Sequence, residues 1–578
     1  MRRLLRYLKG YEKETILAPL FKMLEASFEL IVPLVVAGIV DVGIPEGDRA
    51  YIWKMCAVMV LLGVIGLVCS LTAQYFAARA AMGFSTALRA DLFAHINRLS
   101  YRELDKLGTP ALVTRITSDV NQAQTGVNLV LRLFLRSPFL VVGAVIMAFT
   151  IDAEIAVIFV IAVPLISLVI YLIMKWTVPI YKKVQSALDR ISLRTRENHV
   201  GARVVRAFGR QTEEKQEFDQ NNDEYTAIQI AAGKISALLN PATYIIMNLA
   251  IVAILWFGGK EVSAGALTQG EVVALVNYMS QILLALLALA NLIVAVTKAV
   301  ASGARLNEVF DAAPSLTDEK AVRQQAKEGA PRVEFRDVSF CYAGSKEPAL
   351  SHISFRAMPG ETVGIIGGTG CGKTTLINLI PRFYEVDKGT VLVDGNPTET
   401  YSFAELRGKI GIVPQHAVLF QGTVRDNMRW GNEHAADSQI DAALAAAQAK
   451  EFVYGRPEKL DAMISQGGAN LSGGQRQRLT IARALVSQPE ILILDDSSSA
   501  LDFATDAALR RALKEQTDNM TVFIVSQRAA SIRQADKILV LDDGELAGVG
   551  THSELLKNCE VYREICLSQL SEQEVSQG

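Results

Sequence analysis

The stretch GETVGIIGGTGCGKTTLINLI (360–380) reads as an apolar strand, a glycine-rich turn and the start of a helix. Within it Gly367, Gly368, Thr369, Gly370, Cys371, Gly372, Lys373 and Thr374 satisfy the pattern G-x-x-x-x-G-K-[ST], and Thr375 follows. Glycines let backbone N–H groups approach phosphate oxygens, and the helix N-terminus adds partial positive charge. Lys373 reaches the β- and γ-phosphates, and the Thr374 hydroxyl joins Mg2+. These features define an α/β nucleotide-binding domain. Cys371 reads as a small filler of the loop, with a reactive thiol as the alternative.

The second half of such a site is an apolar parallel strand ending in an acid. ILILDD (491–496) supplies it: Asp495 holds Mg2+ through a water, and Asp496 stands where a general base polarises the attacking water. A third element, LSGGQRQRLTIARAL (471–485), opens a helix at Ser472, Gly473 and Gly474, a further place for an anion. Two phosphate-binding helix starts beside one set of nucleotide-binding strands suggest that the second serves a neighbouring chain's nucleotide.

Upstream of this domain the composition changes. Of the 578 residues 50% are hydrophobic and only 20% are charged, too apolar for a soluble chain of this length, and the net charge of −2 does not suggest a nucleic-acid surface. The six Cys have no metal-ligand spacing and read as reduced thiols. Six segments are long and apolar enough to span a bilayer, at about 16–40, 56–78, 129–150, 155–176, 236–258 and 271–299. Lys and Arg collect in the segments at about 79–128 and 177–235, while the opposite loops are short and nearly bare, which places both termini in the cytosol. The basic opening, 1–13, reads as an amphipathic helix on the inner leaflet. DAAPSLTDEKAVRQQAKEGAP (311–331) reads as a linker. The expected domains are therefore a transmembrane domain at 1–312, a linker at 313–331 and a nucleotide-binding domain at 332–578.

Helical periodicity in the long cytosolic loops predicts that the spanning helices continue past the bilayer and turn back through short segments near Gly108–Val113 and Val200–Phe208. Ionisable residues lie within the spans: Lys22, Glu25 and Glu29 on one face of the first helix, Arg132 and Arg136 on the third. They either pair with one another to fix helix packing or line a substrate cavity, and the sequence leaves both open.

Together these motifs resemble an ATP-binding cassette exporter half-transporter over essentially the whole chain. The resemblance implies an all-α six-helix transmembrane domain with long cytosolic extensions, followed by an α/β P-loop ATPase domain. It implies that two halves dimerise and sandwich ATP and Mg2+ between one chain's glycine loop and the other's LSGGQ, contributed here by Ser472, Gly473, Gly474 and Gln475. By the same resemblance Tyr342 in SFCYAG stacks on adenine, Gln415 in GIVPQ touches Mg2+, Asp502 in SALD reaches across the dimer, and the short cytosolic turns ride on the ATPase.

Two positions depart from the family's pattern. Asp496 stands where the pattern has Glu, and Gln527 in TVFIVSQRAAS (521–531) stands where it has a switch His. The shorter carboxylate and the neutral amide predict a site that holds ATP and hydrolyses it slowly. The expected partner is a second, non-identical half in the cytoplasmic membrane, as in heterodimeric bacterial multidrug-type exporters. The expected activity is ATP-driven export of amphipathic small molecules. A homodimeric exporter or lipid flippase with weak turnover, and an ATP-gated channel, are the alternatives. Six spans exclude a soluble DNA-repair ATPase, and the sequence does not reveal the cargo.

Overall fold

The computed structural model describes every position except 319–320, 323, 498–500, 517–518 and 570–578. The chain forms two compact units: Met1–Asn97 with Pro110–Asp311, and Arg98–Thr109 with Ala312–Gly578.

The first unit is helical. Its helices are α1 (Glu12–Gly38), α2 (Arg49–Arg98), α4 (Thr109–Thr114), α5 (Val120–Leu129), α6 (Arg136–Ile151), α7 (Ala153–Val200), α8 (Ala202–Ala207), α9 (Gln211–Ala237), α10 (Leu239–Ala264) and α11 (Gln269–Asp311); α3 (Tyr101–Leu107) belongs to the second unit. Six continuous helical stretches are long and apolar enough to cross a membrane: Glu12–Gly43, Arg49–Arg98, Thr109–Ile151, Ala153–Val200, Gln211–Ala264 and Gln269–Asp311. At 1.5 Å per residue α2 is about 75 Å long, more than twice the hydrocarbon thickness, so spanning helices run on beyond a bilayer.

Small residues bring these helices together. In α2 the buried positions Ala73, Ala77, Ala80, Ala81 and Phe84 form one stripe, whereas Val60, Leu61, Val64 and Leu71 are exposed. Lipid tails are as apolar as leucine, so close backbone approach and van der Waals contact drive this packing. At Gly126 a Cβ would lie 2.2 Å from that of Ala299, which fixes how closely α5 meets α11.

Of the five ions named on the first and third spans, four are paired. Lys22, buried, donates to Glu25 (2.5 Å) and to Ser70 (3.0 Å), and Arg136 pairs with Glu29 (2.7 Å). Each pair neutralises charges that would be costly alone in hydrocarbon.

At two places the structure differs from the sequence expectation. Within 1–13, where an amphipathic helix was expected, there is a seven-residue 3-10 helix, Arg2–Leu8, which ends before Gly10, at φ 94°, and α1 begins at Glu12. The first short cytosolic segment is α3, not 108–113. Ser100 and Glu103 cap its start reciprocally, Gly108 ends it at φ 74°, and 109–114 already begins the next long helix. The second short segment is α8, within the expected 200–208.

The second unit holds two larger sheets. Strands β1 (Val333–Phe340), β2 (Leu350–Ala357), β4 (Lys388–Val393) and β5 (Asn396–Pro397) form an antiparallel sheet in the order β2-β1-β4-β5. The other sheet has the order β12-β11-β3-β10-β9-β6, built from β3 (Thr362–Gly367), β6 (Ile410–Val413), β9 (Ile491–Asp495), β10 (Thr521–Val525), β11 (Lys537–Asp542) and β12 (Glu545–Gly550). Its first five members from β11 onward are parallel, and β12 pairs antiparallel at the edge. The runs ILILD and TVFIV are apolar on both faces because the sheet is covered on both sides. A small pair, β7 (Gly422–Thr423) and β8 (Met463–Ile464), lies apart. Within this unit Ser100 Oγ accepts from Leu316 N (3.1 Å), Tyr101 packs on Phe383 (4.7 Å between centroids), and Tyr384 donates to Asp105 (2.7 Å).

Candidate nucleotide site

The carboxyl ends of parallel strands are where open α/β sheets bind ligands. Here β3, β9 and β10 end side by side and deliver the glycine loop, the acid pair and Gln527. The loop joins β3 to α12 (Lys373–Leu379). Its shape depends on Gly372, at φ 94°, where a Cβ would also lie 2.6 Å from the Ala349 carbonyl oxygen. Lys373 is buried and curls back so that Nζ donates to the carbonyls of Gly367 (2.9 Å) and Gly368, with Cys371 Sγ at 3.6 Å. Cys371 itself is buried beneath the loop.

Thr374 Oγ1 donates to Asp495 Oδ2 (3.1 Å), which ties the helix start to the end of β9. Burial pushes the Asp495 carboxyl up from its usual range; the Thr374 hydroxyl opposes this, and the charge of Asp496 reinforces it. Asp496 adopts the left-handed conformation, φ 44°, with its N–H bonded to Val525 O (3.0 Å). Its carboxyl is also pushed up by burial, against a hydrogen bond from Gln415 and the positive charges of Arg528 and Lys373. Gln415 therefore belongs to the same cluster, engaged with Asp496. Gln527 is exposed, and its carbonyl accepts from Gln569 Nε2 (2.8 Å).

Tyr342 is half-buried at the other side of the loop. Its hydroxyl meets Thr375 Oγ1 (3.0 Å), and its ring stands edge-on to Phe340 (4.9 Å) and Tyr384 (5.3 Å). Gly368, Thr369 and Gly370 are exposed on the loop's rim. Thr374, Gln415 and Asp495 offer hydroxyl, amide and carboxylate oxygens, a hard donor set suited to Mg2+. Among the described residues no group of three or more His, Cys, Asp or Glu gathers to form an all-protein metal cage. A metal here would share its coordination with phosphate oxygens.

The signature residues stand apart. The helix Gly473–Val486 starts at Ser472, whose hydroxyl accepts from Gln475 N (3.3 Å) while Gln475 Oε1 accepts from Ser472 N (3.0 Å). Gly473 is exposed at this start and Gly474 half-buried; no hydrogen bond among the described residues joins them to the glycine loop. Asp502 is exposed and caps the helix Phe503–Gln516 through Thr505 N (2.8 Å), which holds its carboxyl below the usual range. Residues 499–500 of the SALD run lie outside the described residues.

Sequence reasoning missed Tyr384, which braces Tyr342, and Arg528, whose charge acts on Asp496. The RFY run (382–384) carries no spacing signal, but Arg528 directly follows the switch position in sequence.

A spanning helical unit joined to a P-loop unit with a separate signature helix defines an ATP-driven membrane transporter. Residues 15–286 match the ABC transporter transmembrane region and residues 350–499 the ABC transporter family, and the chain belongs to the ABC transporters. It is 35% identical over 98% of both chains to the uncharacterized ABC transporter ATP-binding protein YfiB of Bacillus subtilis. It is 33% identical to the ATP-dependent lipid A-core flippase of Chromobacterium violaceum, over 99% of this chain and 97% of that one. A bacterial Atm1-family ABC exporter solved with ATP bound superposes with a TM-score of 0.81 at 25% identity, covering 97% of this chain and 99% of the other. The fold is that of an ABC exporter half, in which the ATPase domain is cytosolic.

Proposed function

We propose that the chain is one half of a heterodimeric exporter of amphipathic small molecules in the cytoplasmic membrane, and that its own glycine loop builds a site which binds ATP and hydrolyses it slowly. The observation that carries the reading is the pair Asp496 and Gln527 at the water-handling end of an otherwise complete site. In the proposed roles Lys373 and the loop N–H groups hold the phosphates. Thr374, Asp495 and Gln415 hold Mg2+, which supplies charge neutralisation at the transferring phosphoryl group. Tyr342 stacks on the adenine, and Ser472, Gly473, Gly474, Gln475 and Asp502 complete the partner's site.

At Asp496 the proposed deficit is geometric. Burial raises its carboxyl, which on its own makes it a stronger base. Reach is the deficit: Asp is one methylene shorter than Glu, a retreat of about 1–1.5 Å, and a displacement on the order of 1 Å costs about a hundredfold in rate. The Gln415 hydrogen bond further occupies the carboxylate. Gln527 cannot become a cation, so contact with the γ-phosphate falls to a neutral hydrogen bond.

The test is to purify the chain from native membranes and ask whether a second half, with Glu and His at the matching positions, copurifies. Brisk ATPase activity from this chain alone would overturn the reading. A second reading, a homodimeric lipid flippase with weak turnover at both sites, is favoured by the near full-length likeness to a protein described as a lipid A-core flippase. It predicts a single kind of subunit in the same preparation.

A further inference from the structure

Three π-helical turns interrupt the long helices of the first unit: Ile39–Gly43, Arg115–Asp119 and Val130–Phe134. Such turns are rare and are found frequently at functional sites. Each carries a charged residue, and in two of them that residue is bonded to α11 or the turn before it. Asp41 accepts from Gly270 N (2.6 Å) and Thr268 Oγ1 (2.6 Å). Asp119, buried, receives Arg305 through two nitrogens, one at 2.9 Å.

The third turn carries Arg132, which is different. Its Nε is buried, and among the described residues its guanidinium has no hydrogen-bond partner and no carboxylate within ion-pair distance. The neighbouring acids are already taken, Glu25 by Lys22 and Glu29 by Arg136. Lys22, Arg132 and Arg136 against Glu25 and Glu29 leave one positive charge uncompensated. Arg132 precedes the helix end at Ile151 by about 28 Å at 1.5 Å per residue, hence near the cytosolic edge of the hydrocarbon.

Other buried atoms of α6 and α11 are unsatisfied as well. Ser137, 1% exposed, has an unpartnered Oγ; Arg136 Nε is likewise unpartnered, and so is Gln281 Oε1, whose amide nitrogen reaches Glu29 O at 3.4 Å. Buried polar atoms at membrane depth are costly unless bonded, and a guanidinium fork matches the paired oxygens of a carboxylate or phosphate.

We propose that the Arg132 turn is an oxyanion subsite, which takes the carboxylate or phosphate headgroup of an amphipath whose apolar tail lies in the hydrocarbon. This inference rests on the reading of the chain as an exporter of amphipaths and narrows the cargo to anionic ones.

The test uses the full-length complex, with whatever second half copurifies, in phosphatidylcholine nanodiscs without ATP. Oleate and oleyl alcohol share a tail and differ in charge. Oleate is expected to bind about tenfold or more tightly than the alcohol. Arg132→Gln should abolish that preference and Arg132→Lys should retain part of it. Adding phosphatidylglycerol to the discs separates the sources: a resident lipid at the site is retained in native mass spectrometry, lost with Arg132→Gln, and competes with oleate, whereas a free cargo anion binds unaffected by it. Equal binding of oleate and oleyl alcohol overturns the proposal, as does an Arg132→Gln protein that keeps the preference. So does an Arg132→Gln protein that sheds its second half, since Arg132 then serves the dimer interface. These are binding readouts, so slow or brisk ATP turnover, which decides the heterodimer reading, leaves them untouched.

Discussion

On one side of the nucleotide pocket Lys373 and Asp495 are buried, Thr374 is bonded to Asp495, and Gly372 cannot be replaced without a clash. On the other side Asp496 is only partly buried and engaged by Gln415, and Gln527 is exposed. The phosphate-holding side is built as a set of mutually supporting constraints. On the proposed reading the water-handling side has residues of the right polarity, one a methylene shorter than Glu and the other unable to become a cation. If that reading holds, binding and hydrolysis are separable in this fold: one sheet and one loop would secure the first, while two side chains would decide the second.

The comparison breaks most readily at Lys373. Lys373→Ala should weaken binding of a fluorescent ATP analogue by about a hundredfold, since charge-assisted bonds to two phosphates are lost together. An unchanged affinity would mean that the buried side does not hold the nucleotide. Next, Asp496→Glu with Gln527→His should raise turnover of the complex by about ten- to a hundredfold while leaving ATP affinity in place. A flat rate with ATP still bound would show that reach and charge are not what limits the site. A smaller effect is expected from withdrawing Mg2+ with EDTA: affinity at this site should fall about tenfold, and Asp495→Asn should flatten that response. If Asp495→Asn leaves the Mg2+ response intact, the tie between Thr374 and Asp495 is structural only.

Much of this arrangement was legible in the sequence because it is local. A P-loop is contiguous, a buried parallel strand is an apolar run, and a spanning helix is a length of hydrocarbon-compatible residues. The first short turn was misplaced at 108–113 although a signal for it was present: SYRE (100–103) is a capping box and Gly108 closes the helix, which puts the turn at 101–107. The pairings of Lys22 with Glu25 and of Arg136 with Glu29 needed the structure, because i, i+3 and i, i+7 spacing names a face and not a partner. The π-helical turns left no trace in periodicity, since one inserted residue shifts a pattern without breaking it. Gln415 on Asp496 and Tyr342 on Thr375 join residues far apart in the chain, which no local pattern encodes.

The smallest effect sharpens the comparison by adding the signature helix. Like the water-handling side, its start is partly exposed, but it is capped from both directions by Ser472 and Gln475. Ser472→Ala removes the accepting hydroxyl and should cost about 1 kcal/mol of local stability, a factor of about five at the helix start. Ser472→Thr keeps the hydroxyl and should keep most of that stability. If the helix serves the neighbouring chain's nucleotide, Ser472→Ala lowers turnover of the assembled complex severalfold while ATP affinity at this chain's own loop stays constant. Measuring both quantities on one preparation separates the possibilities. A fall in this chain's own affinity would place the helix in the same pocket as Lys373, and the division of labour between two unlike halves would have to be redrawn.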